Sequence, residues 1–390
     1  MEILLVTTSY PLRNGSVSGI FVKKLADQIN EFAHLTVVTP GDDNEVVDSN
    51  IKPALYAPQR MQRLAHSPGG IPVALKSNAF AWLLLPALIF SMFYQCIVHC
   101  RNKDAVVANW SINGVLAGLA AKLFSVPVIT ILRGSDVNPS QSKREKNLTL
   151  LLAIKLSTKV VCVSDSFYKV ISANYPKYRH KFIVIPNGVD SEYLHIKVSD
   201  NPSLFVLTTV GNLNPKKGVQ DILEACAVLR KRGVPFVFNI IGGGPEKKSL
   251  VELTNALRLS ECVNFIGSIP HDQIPSYLGN SNIFVFASYS EGRANVLLEA
   301  MAAGLPIVAS QINANRELIT HNENGYLFET GSPHDLAEKI IELTKSKSLR
   351  ERLSRSARRS IVVNSLSWES TGDKYHKLLT SCVEQAKCVE

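Results

Sequence analysis

The sequence lacks the cysteine spacing of a zinc site or a disulfide framework. Seven cysteines are scattered through 390 residues, and several lie inside apolar runs, where cysteine behaves as a small core residue. This usage fits a reducing compartment. A basic leader is also missing, because Glu2 is acidic and a strand-like run opens the chain. We therefore expect no signal peptide and a cytoplasmic location.

Short-period repeats, low-complexity tracts and basic stretches interleaved with aromatic residues are also missing. Their absence argues against a solenoid, a disordered chain and a nucleic-acid-binding protein. The formal charge of +9 and the pI near 9.1 therefore indicate an anionic partner other than nucleic acid. Nucleotide phosphate and acidic lipid headgroups are the candidates, and a solvated basic surface is the alternative.

The length and the pattern of apolar runs predict two α/β domains. A chain of 390 residues, 46% of them hydrophobic, exceeds what one core usually supports. Short β-branched runs alternate with helical stretches in two series, which is typical of parallel sheets covered by helices on both faces. Strands are predicted at 2–8, 35–39, 105–109, 127–132, 159–163 and 182–185, then at 204–210, 236–241, 263–266, 283–287 and 306–309. The sequence thus predicts two Rossmann-like, doubly wound parallel-sheet domains.

Loop signals set the expected domain boundaries. Residues 1–190 form the first predicted domain and 204–365 the second, with a polar connection at 191–203 between them. LSWES opens a last helix over 366–390, which we expect to pack back on the first domain.

One apolar segment bears on the location of the protein. Residues 79–98 contain no charge and approach the length of a membrane span. Pro86 and Gln95 interrupt the segment, which leads almost directly into a strand-like run at 104–109. We expect a helix packed on a sheet, with contact to a membrane surface and a true span as alternatives.

Two glutamates flank the start of a predicted helix in the second series. Glu291 lies in the loop before the helix and Glu299 in its second turn, with the amides of 294–297 between them. Exposed N–H groups and the positive end of the helix dipole suit a diphosphate. Carboxylates beside that anion need hydroxyl partners, so Glu291 would face a transferred sugar and Glu299 a ribose. Taken singly, each glutamate also fits a solvated surface position.

The arrangement as a whole matches a known signature. Glu, seven residues and Glu, followed by AMAAGLPIVAS, closely resembles the signature of glycosyltransferase family 4. The resemblance covers essentially the whole chain, from the opening strand through GNLNPKKG and IIGGGPE to SWES. It implies the GT-B architecture, in which two Rossmann-like domains face each other. It also implies transfer of a sugar from a nucleotide diphosphate with retention of anomeric configuration, usually without a metal.

The loop GNLNPKKGV at 211–219 is expected to supply cationic contacts to the diphosphate. Lys217 can reach a phosphate as a flexible cation, and a surface lysine is the alternative reading. Family members usually have arginine after the first glycine, where this sequence has Asn212. We hypothesise that Lys216 or Arg293 restores the lost charge.

The first domain carries a second candidate segment. RGSDVN at 133–138 resembles the family's His-Gly-x-Asp segment, with Arg133 in the histidine position and Asp136 matching the aspartate. Arginine stays protonated, so Arg133 would orient hydroxyl or phosphate oxygens while Asp136 positions the substrate. A simple salt bridge between the two is the alternative. By the same resemblance, Gly19 in the turn at 13–26 would contact the donor, although a turn glycine explains it equally well.

The resemblance implies one donor site without a cofactor. The candidate catalytic residues are Glu291, Lys217, Asp136 and Arg133. The candidate donor-binding residues are Gly19, Gly211, Asn212, Lys217, Gly267, Ile269, Glu291, Arg293, Asn295, Val296, Leu297 and Glu299, with the nucleobase near Gly267 and Ile269. In the family's front-face mechanism the leaving phosphate takes the acceptor proton, so we expect no protein base and no metal.

Other classes remain as alternatives. GGGPE after the strand at 236–241 suggests a nicotinamide or flavin oxidoreductase, but Lys247 occupies the third glycine position and Asn264 stands where an acidic residue belongs. A sugar-nucleotide epimerase, a phosphorylase or a noncatalytic nucleotide-sugar binding module would share the architecture.

The expected substrates follow the resemblance. A UDP-sugar is the first expectation for the donor and GDP-mannose the second. The acceptor would be a glycan or a lipid-linked molecule of bacterial cell-surface polysaccharide assembly. The apolar segment 79–98 and the basic charge suggest an acceptor at the membrane surface, with a peripheral position on the inner face of the cell membrane as the alternative to a purely cytoplasmic one.

Overall fold

The fold consists of two compact units. The computed structural model describes residues 1–12, 19–42, 48–62, 64–65, 71, 74–75, 79–134, 136, 147–198 and 203–388. Met1–Pro186 and Trp368–Glu390 form unit 1, and Asn187–Ser367 forms unit 2. The predicted connection at 191–203 thus begins inside unit 2, where a short 3-10 helix at Ser191–His195 buries Tyr193. Residues 199–202 of the predicted connection lie outside the part of the chain that the structure describes.

Unit 1 contains a seven-stranded parallel sheet of order β3-β2-β1-β4-β5-β6-β7. Leu4 of the first strand pairs with Thr36 on one side and Val106 on the other. The strands are β1 Glu2–Val6, β2 His34–Pro40, β3 Ile51–Ala54, β4 Ala105–Asn109, β5 Val128–Leu132, β6 Lys159–Cys162 and β7 Phe182–Val184. Six were predicted and are confirmed. β3 was missed because IKPA is short and contains Pro53, which a sheet accepts at an edge.

Helices cover both faces of this sheet. They are α1 Ile20–Asn30, α2 Ala81–Cys100, α3 Ser111–Lys122, α4 Leu148–Leu156 and α5 Asp165–Asn174. Ile3 and Leu5 point to the face covered by α1, whereas Leu4 and Val6 point to the face covered by α2 and α3. The predicted helix around 79–98 is therefore confirmed, and it packs on the sheet.

Unit 2 contains a six-stranded parallel sheet of order β10-β9-β8-β11-β12-β13. Its strands are β8 Phe205–Val210, β9 Phe236–Ile241, β10 Val263–Gly267, β11 Ile283–Phe286, β12 Ile307–Ser310 and β13 Tyr326–Phe328. The five predicted strands are confirmed. The sixth, β13, was missed; it has three residues and lies at the sheet edge.

The helices of unit 2 also form two layers. They are α6 Val219–Lys231, α7 Lys247–Ala256, α8 Ile274–Gly279, α9 Asn295–Ala303, α10 Asn313–Arg316, α11 Pro333–Lys345 and α12 Lys347–Val363. Ile222 and Leu336 pack on one face of the sheet, and Leu297 and Ile361 on the other.

The last helix, α13 Trp368–Lys387, returns to unit 1 as predicted. It packs against α1, and buries Trp368, Tyr375 and Leu379 in the core that also contains Ile3. The ring of His376 stacks on Phe32 with centroids 4.3 Å apart.

Candidate active site

The candidate site of unit 2 lies at the carboxyl ends of β8 and β11, which are neighbours in the sheet. The loop after β8 leads to α6, and the loop after β11 leads to α9. Ligands of open parallel sheets bind at this edge. Two loops that are far apart in sequence therefore meet where a ligand is expected.

Lys217 and Glu291 form an ion pair between these loops. The Lys217 Nζ lies 2.6 Å from Glu291 Oε1, which also accepts a hydrogen bond of 2.7 Å from Ser288 Oγ. The ammonium also lies 5.4 Å from the centre of the Phe286 ring. Both ionic side chains are largely buried, so the attraction is screened less than at an open surface. The structure thus brings together two of the predicted catalytic residues.

Gly218 allows the two loops to approach. It adopts a left-handed conformation with φ 61° at the start of α6. A Cβ at this position would collide with the backbone carbonyl oxygen of Ala287, directly after β11. The sequence analysis did not select Gly218, although a glycine before a helix in a phosphate-binding loop is a usable signal.

The N-terminus of α9 offers backbone donors beside this pair. Its N-cap residue, Ala294, makes no side-chain capping bond, and the first turn contains no acidic residue. The amides of Asn295 and Val296 begin the helix, and the Leu297 amide donates back to the Ala294 carbonyl at 3.1 Å. Such a terminus favours an anion through its N–H groups and the helix dipole. The Asn295 side chain accepts a hydrogen bond of 3.0 Å from Asn187 Nδ2.

Glu299, in the second turn of α9, has a histidine partner. His271 Nε2 lies 3.0 Å from Glu299 Oε1, and both side chains are mostly buried. The tautomer of His271 decides which atom donates. The sequence analysis missed His271, although it lies two residues after Ile269, where the nucleobase is expected. A lone histidine in a loop gave no signal of its own.

The residues assigned to the nucleobase lie at the carboxyl end of β10, whose last residue is Gly267. Gly267 has φ 86°, and its carbonyl accepts a hydrogen bond of 2.8 Å from the Gly242 amide. Ile269 packs against the cluster that contains Phe286 and Leu297. These contacts place Gly267 beside the loop after β9 and Ile269 beside α9.

Asn212 and Arg293, the residue proposed to restore its missing charge, have different surroundings. Asn212 is exposed. The Arg293 side chain is buried and its Nη1 lies 3.9 Å from Glu317 Oε2. A carboxylate thus already faces the Arg293 cation. Lys216 is exposed in the loop between Asn212 and α6. Compensation for Asn212 stays a prediction.

In unit 1, Asp136 and Arg133 belong to a buried polar cluster. The Asp136 carboxylate accepts hydrogen bonds from the Ser111 amide at 2.8 Å, the Ser111 hydroxyl at 2.7 Å and the Arg133 amide at 2.7 Å. Burial raises the pKa of Asp136, and these hydrogen bonds oppose the rise. The Arg133 guanidinium donates to Asn109 Oδ1 at 2.8 Å and lies 4.7 Å from the centre of the Phe21 ring.

Arg133 stays charged despite its burial. Burial lowers its pKa to about 10, which is still well above neutral pH. Gly19 lies at the start of α1 with φ 79°, where a Cβ would collide with the backbone of Ser9. Gly15 of the same predicted turn, and Ser135, Val137 and Asn138 of the RGSDVN segment, lie outside the described residues.

Within the described part of the chain, no group of three or more His, Cys, Asp or Glu side chains could hold a metal ion. The polar groups at the edge of the unit 2 sheet are instead one paired ammonium, two carboxylates and helix amides. These groups suit a ligand that combines a phosphate with hydroxyls.

Family models match most of the chain. The model of glycosyl transferases group 1 matches residues 192–360, and that of Glycosyltransferase Family 4 matches residues 19–193. The amylovoran biosynthesis glycosyltransferase AmsK of Erwinia amylovora is 29% identical over 282 residues, 68% of this chain and 66% of that protein. The UDP-Gal:alpha-D-GlcNAc-diphosphoundecaprenol alpha-1,3-galactosyltransferase of Escherichia coli is 28% identical over 279 residues, 67% of this chain and 71% of that protein.

Solved structures share the architecture. HepE of Anabaena in complex with UDP is 18% identical with a TM-score of 0.71, covering 98% of this chain and all of that chain. Sucrose-phosphate synthase of Thermosynechococcus elongatus is 16% identical with a TM-score of 0.78, covering 97% of this chain and 98% of that chain. These likenesses confirm the predicted GT-B fold.

Proposed function

Because the chain belongs to the group 1 glycosyltransferases of family 4, we propose that it transfers a sugar, with retention, from a nucleotide diphosphate sugar to a glycan or lipid-linked acceptor. The observation that carries the proposal is the Lys217–Glu291 pair at the carboxyl edge of the unit 2 sheet. An ammonium, a carboxylate and helix amides at one edge are the groups that a diphosphate joined to a sugar requires.

Lys217 has the role of stabilising the leaving diphosphate. Its Nζ is held against Glu291 at 2.6 Å, and a bound phosphate oxygen can replace that carboxylate as its partner. The N-terminal amides of α9 add fixed donors that need no reorganisation as charge develops on the phosphate. Displaced from Lys217, the Glu291 carboxylate becomes available to accept hydrogen bonds from sugar hydroxyls.

Glu299 has the role of holding the ribose. A carboxylate accepts hydrogen bonds from both hydroxyls of a ribose diol. His271 contacts one carboxylate oxygen, Oε1, at 3.0 Å and so restricts the orientation of the group. We assign Glu299 to the ribose and His271 to the positioning of Glu299.

The transfer needs no protein base in this proposal. The bond from the anomeric carbon to the diphosphate oxygen breaks as the bond from the same face to the acceptor oxygen forms. The acceptor proton passes to a phosphate oxygen, and the departing nucleoside diphosphate carries it away. Asp136 accepts three hydrogen bonds from protein donors, which suits a residue that shapes the unit 1 loop. Arg133, charged and buried, would hold substrate oxygens without accepting a proton.

A UDP-sugar is the proposed donor, and GDP-mannose is the second candidate. The names of two similar proteins support the first choice, because HepE was solved with UDP and the Escherichia coli relative is named for UDP-Gal. That relative is also named for a diphosphoundecaprenol acceptor, and AmsK is named for amylovoran biosynthesis. These names support a role in bacterial polysaccharide biosynthesis. We propose in addition that the protein acts on the cytoplasmic side of the membrane, without a metal or other cofactor.

Product stereochemistry tests the proposed reaction. Purified protein would be incubated with each nucleotide sugar and a lipid-linked or glycan acceptor in the presence of a chelator, and the product would be followed by proton NMR. We expect an α-linked product from an α-configured donor. A product of inverted configuration, or loss of activity with the chelator, would contradict the assignment. Donor binding without transfer or hydrolysis would instead favour the noncatalytic binding module.

A further inference from the structure

Helix α2 has two apolar faces. Leu88, Met92, Cys96 and Cys100 recur every four residues and are buried against the sheet of unit 1. On the opposite face Leu83 is 71% exposed and Phe90 is 70% exposed, and Tyr94 and Val98 are also exposed. The helix is long and apolar enough to cross a membrane, yet only 22% of its most apolar window is buried. An ordinary surface helix would carry charges on this outer face.

The apolar exposure continues on the two neighbouring helices. α3 packs between α2 and α4, so the three helices form one layer. Leu119 on α3, Leu123 directly after it, and Leu148 and Leu152 on α4 are all exposed. Three adjacent helices thus present large apolar side chains to solvent, which marks an interaction surface rather than scattered exposure.

The charges of this layer have one sign. The ranges of α2, α3 and α4 contain no aspartate or glutamate. Arg101, Lys122 and Lys155 are exposed at or directly after the C-terminal ends of the three helices. Each helix leads into the next strand of the same parallel sheet, so the three C-terminal ends lie at one edge of the layer. The layer therefore has an apolar face and a basic edge.

We propose that this helical layer docks on an anionic lipid bilayer, with Leu83, Phe90 and Tyr94 entering the interface and the basic edge contacting lipid phosphates. An apolar face with exposed aromatic residues and basic neighbours is the pattern of an interfacial surface. Helix α2 lies on the bilayer and does not cross it, because its opposite face is part of the unit 1 core. The absence of aspartate and glutamate from the three helices favours a negatively charged surface over a neutral one.

The surface adjoins the ligand edge of unit 1. Helix α2 has 20 residues and spans about 30 Å, whereas the five-residue strand β4 spans about 17 Å. Since the C-terminus of α2 connects to the start of β4, the excess length lies beyond the carboxyl ends of the strands. Trp82 and Leu83 belong to the N-terminal end of α2, on the side of the sheet where the strands end. A lipid-linked acceptor would present its headgroup there. This inference rests on the proposed function, whereas the docking on the bilayer does not rest on it.

Flotation with lipid vesicles tests the docking. The probes are vesicles of equal parts phosphatidylglycerol and phosphatidylcholine, and vesicles of phosphatidylcholine alone. We expect the protein to float with the first and to bind the second much more weakly. The double substitution Leu83→Gln and Phe90→Gln should weaken binding at least about tenfold. The matched control is Val362→Gln with Val363→Gln in unit 2, where both valines are also exposed, at 61% and 68%. This control should leave binding unchanged.

A second variant tests the basic edge. The triple substitution Arg101→Gln, Lys122→Gln and Lys155→Gln should weaken binding to the anionic vesicles about tenfold or more and reduce its salt dependence. Equal flotation of wild type and both surface variants would overturn the proposal, as would an absence of flotation for the wild type. The wild type could also be a dimer that does not bind vesicles and that Leu83→Gln with Phe90→Gln converts to a monomer. That result would overturn the docking proposal and assign the apolar face to a second copy of the chain. Binding of UDP or GDP, measured on each variant, should be unchanged, which separates failed docking from a failed donor site.

Discussion

At the residue scale, Lys217 and Glu291 show how a site can be held ready for an anionic ligand. Glu291 Oε1 accepts bonds from Lys217 and from Ser288, so the ammonium is fixed before a donor binds. The same carboxylate balances the lysine charge in a largely buried position. Removing one partner leaves the other charged group without its ion pair, which is costly in such a place.

Lys217→Ala should therefore lower kcat by about 10²–10³-fold, because the departing diphosphate loses its cation. The donor KM should change less than kcat if Lys217 acts mainly in the transition state. Steady-state kinetics with the preferred donor measures both. Lys231→Ala, at the other end of helix α6 and exposed, is the control and should behave as wild type. Unchanged kcat and KM in Lys217→Ala would remove this residue from the mechanism.

Substitution of Arg293 tests whether this residue restores the positive charge that is missing at Asn212. We expect Arg293→Ala to raise the donor KM about tenfold, the loss of one charge-assisted contact. Glu317→Gln removes the negative partner at 3.9 Å but keeps the cation, so it should leave donor affinity nearly unchanged. Unchanged donor kinetics in Arg293→Ala, together with damage in Lys217→Ala, would show that Arg293 does not compensate.

The sequence predicted these side chains unequally. Glu291 and Glu299 were selected because their spacing resembles a family signature, and Lys217 because its loop resembles another; the structure pairs Lys217 with Glu291. His271 was not selected, because a single histidine has no periodicity and its contact with Glu299 joins residues 28 positions apart. Arg133 and Asp136 were predicted as a pair, whereas the buried contacts with Asn109 and Ser111 depend on β4 and α3.

At the scale of elements, the loops after β8 and β11 meet because Gly218 has no side chain. Gly218→Ala should destabilise the protein in two ways. The left-handed conformation costs alanine about 1–2 kcal/mol, and contact with the Ala287 carbonyl adds about 1–3 kcal/mol. The shift of the loop should also displace Lys217 and lower activity.

Gly233 provides the matched control for this substitution. It has φ 70°, close to that of Gly218, but a Cβ there would meet nothing within 4 Å. Gly233→Ala should therefore cost only the conformational part, and activity should persist. Chemical denaturation of both variants gives the comparison. Equal losses of unfolding free energy would show that the approach to Ala287 does not constrain the loop.

The central strands were all predicted, as were the edge strands β7 and β10, whereas the edge strands β3 and β13 were missed. The central strands are buried on both faces and appear in the sequence as continuous apolar runs, such as VITIL at β5. The edge strands β3 and β13 have four and three residues, and β3 contains a proline. An edge strand is fixed by its single neighbour, and that contact is not visible in a short local pattern.

At the scale of the whole molecule, the order of strands and helices determines where the site lies. Two series of alternating strands and helices predict parallel sheets, and parallel sheets place their ligand loops at one edge. The parallel sheets and the edge at which their ligand loops lie could therefore be predicted from the sequence. The sugar and acceptor depend on side chains from several separate loops, whose mutual distances the spacing of residues does not encode.

The most direct test of the donor site is thermal stabilisation of the purified protein by UDP, GDP and their sugars. Selective binding to the folded state raises the apparent melting temperature by linkage. We predict a clear shift with UDP and UDP-sugars that is lost in Glu299→Ala, while the unliganded variant keeps most of its own stability. No shift with any nucleotide diphosphate, or an undiminished shift in Glu299→Ala, would contradict a donor site at the N-terminus of α9.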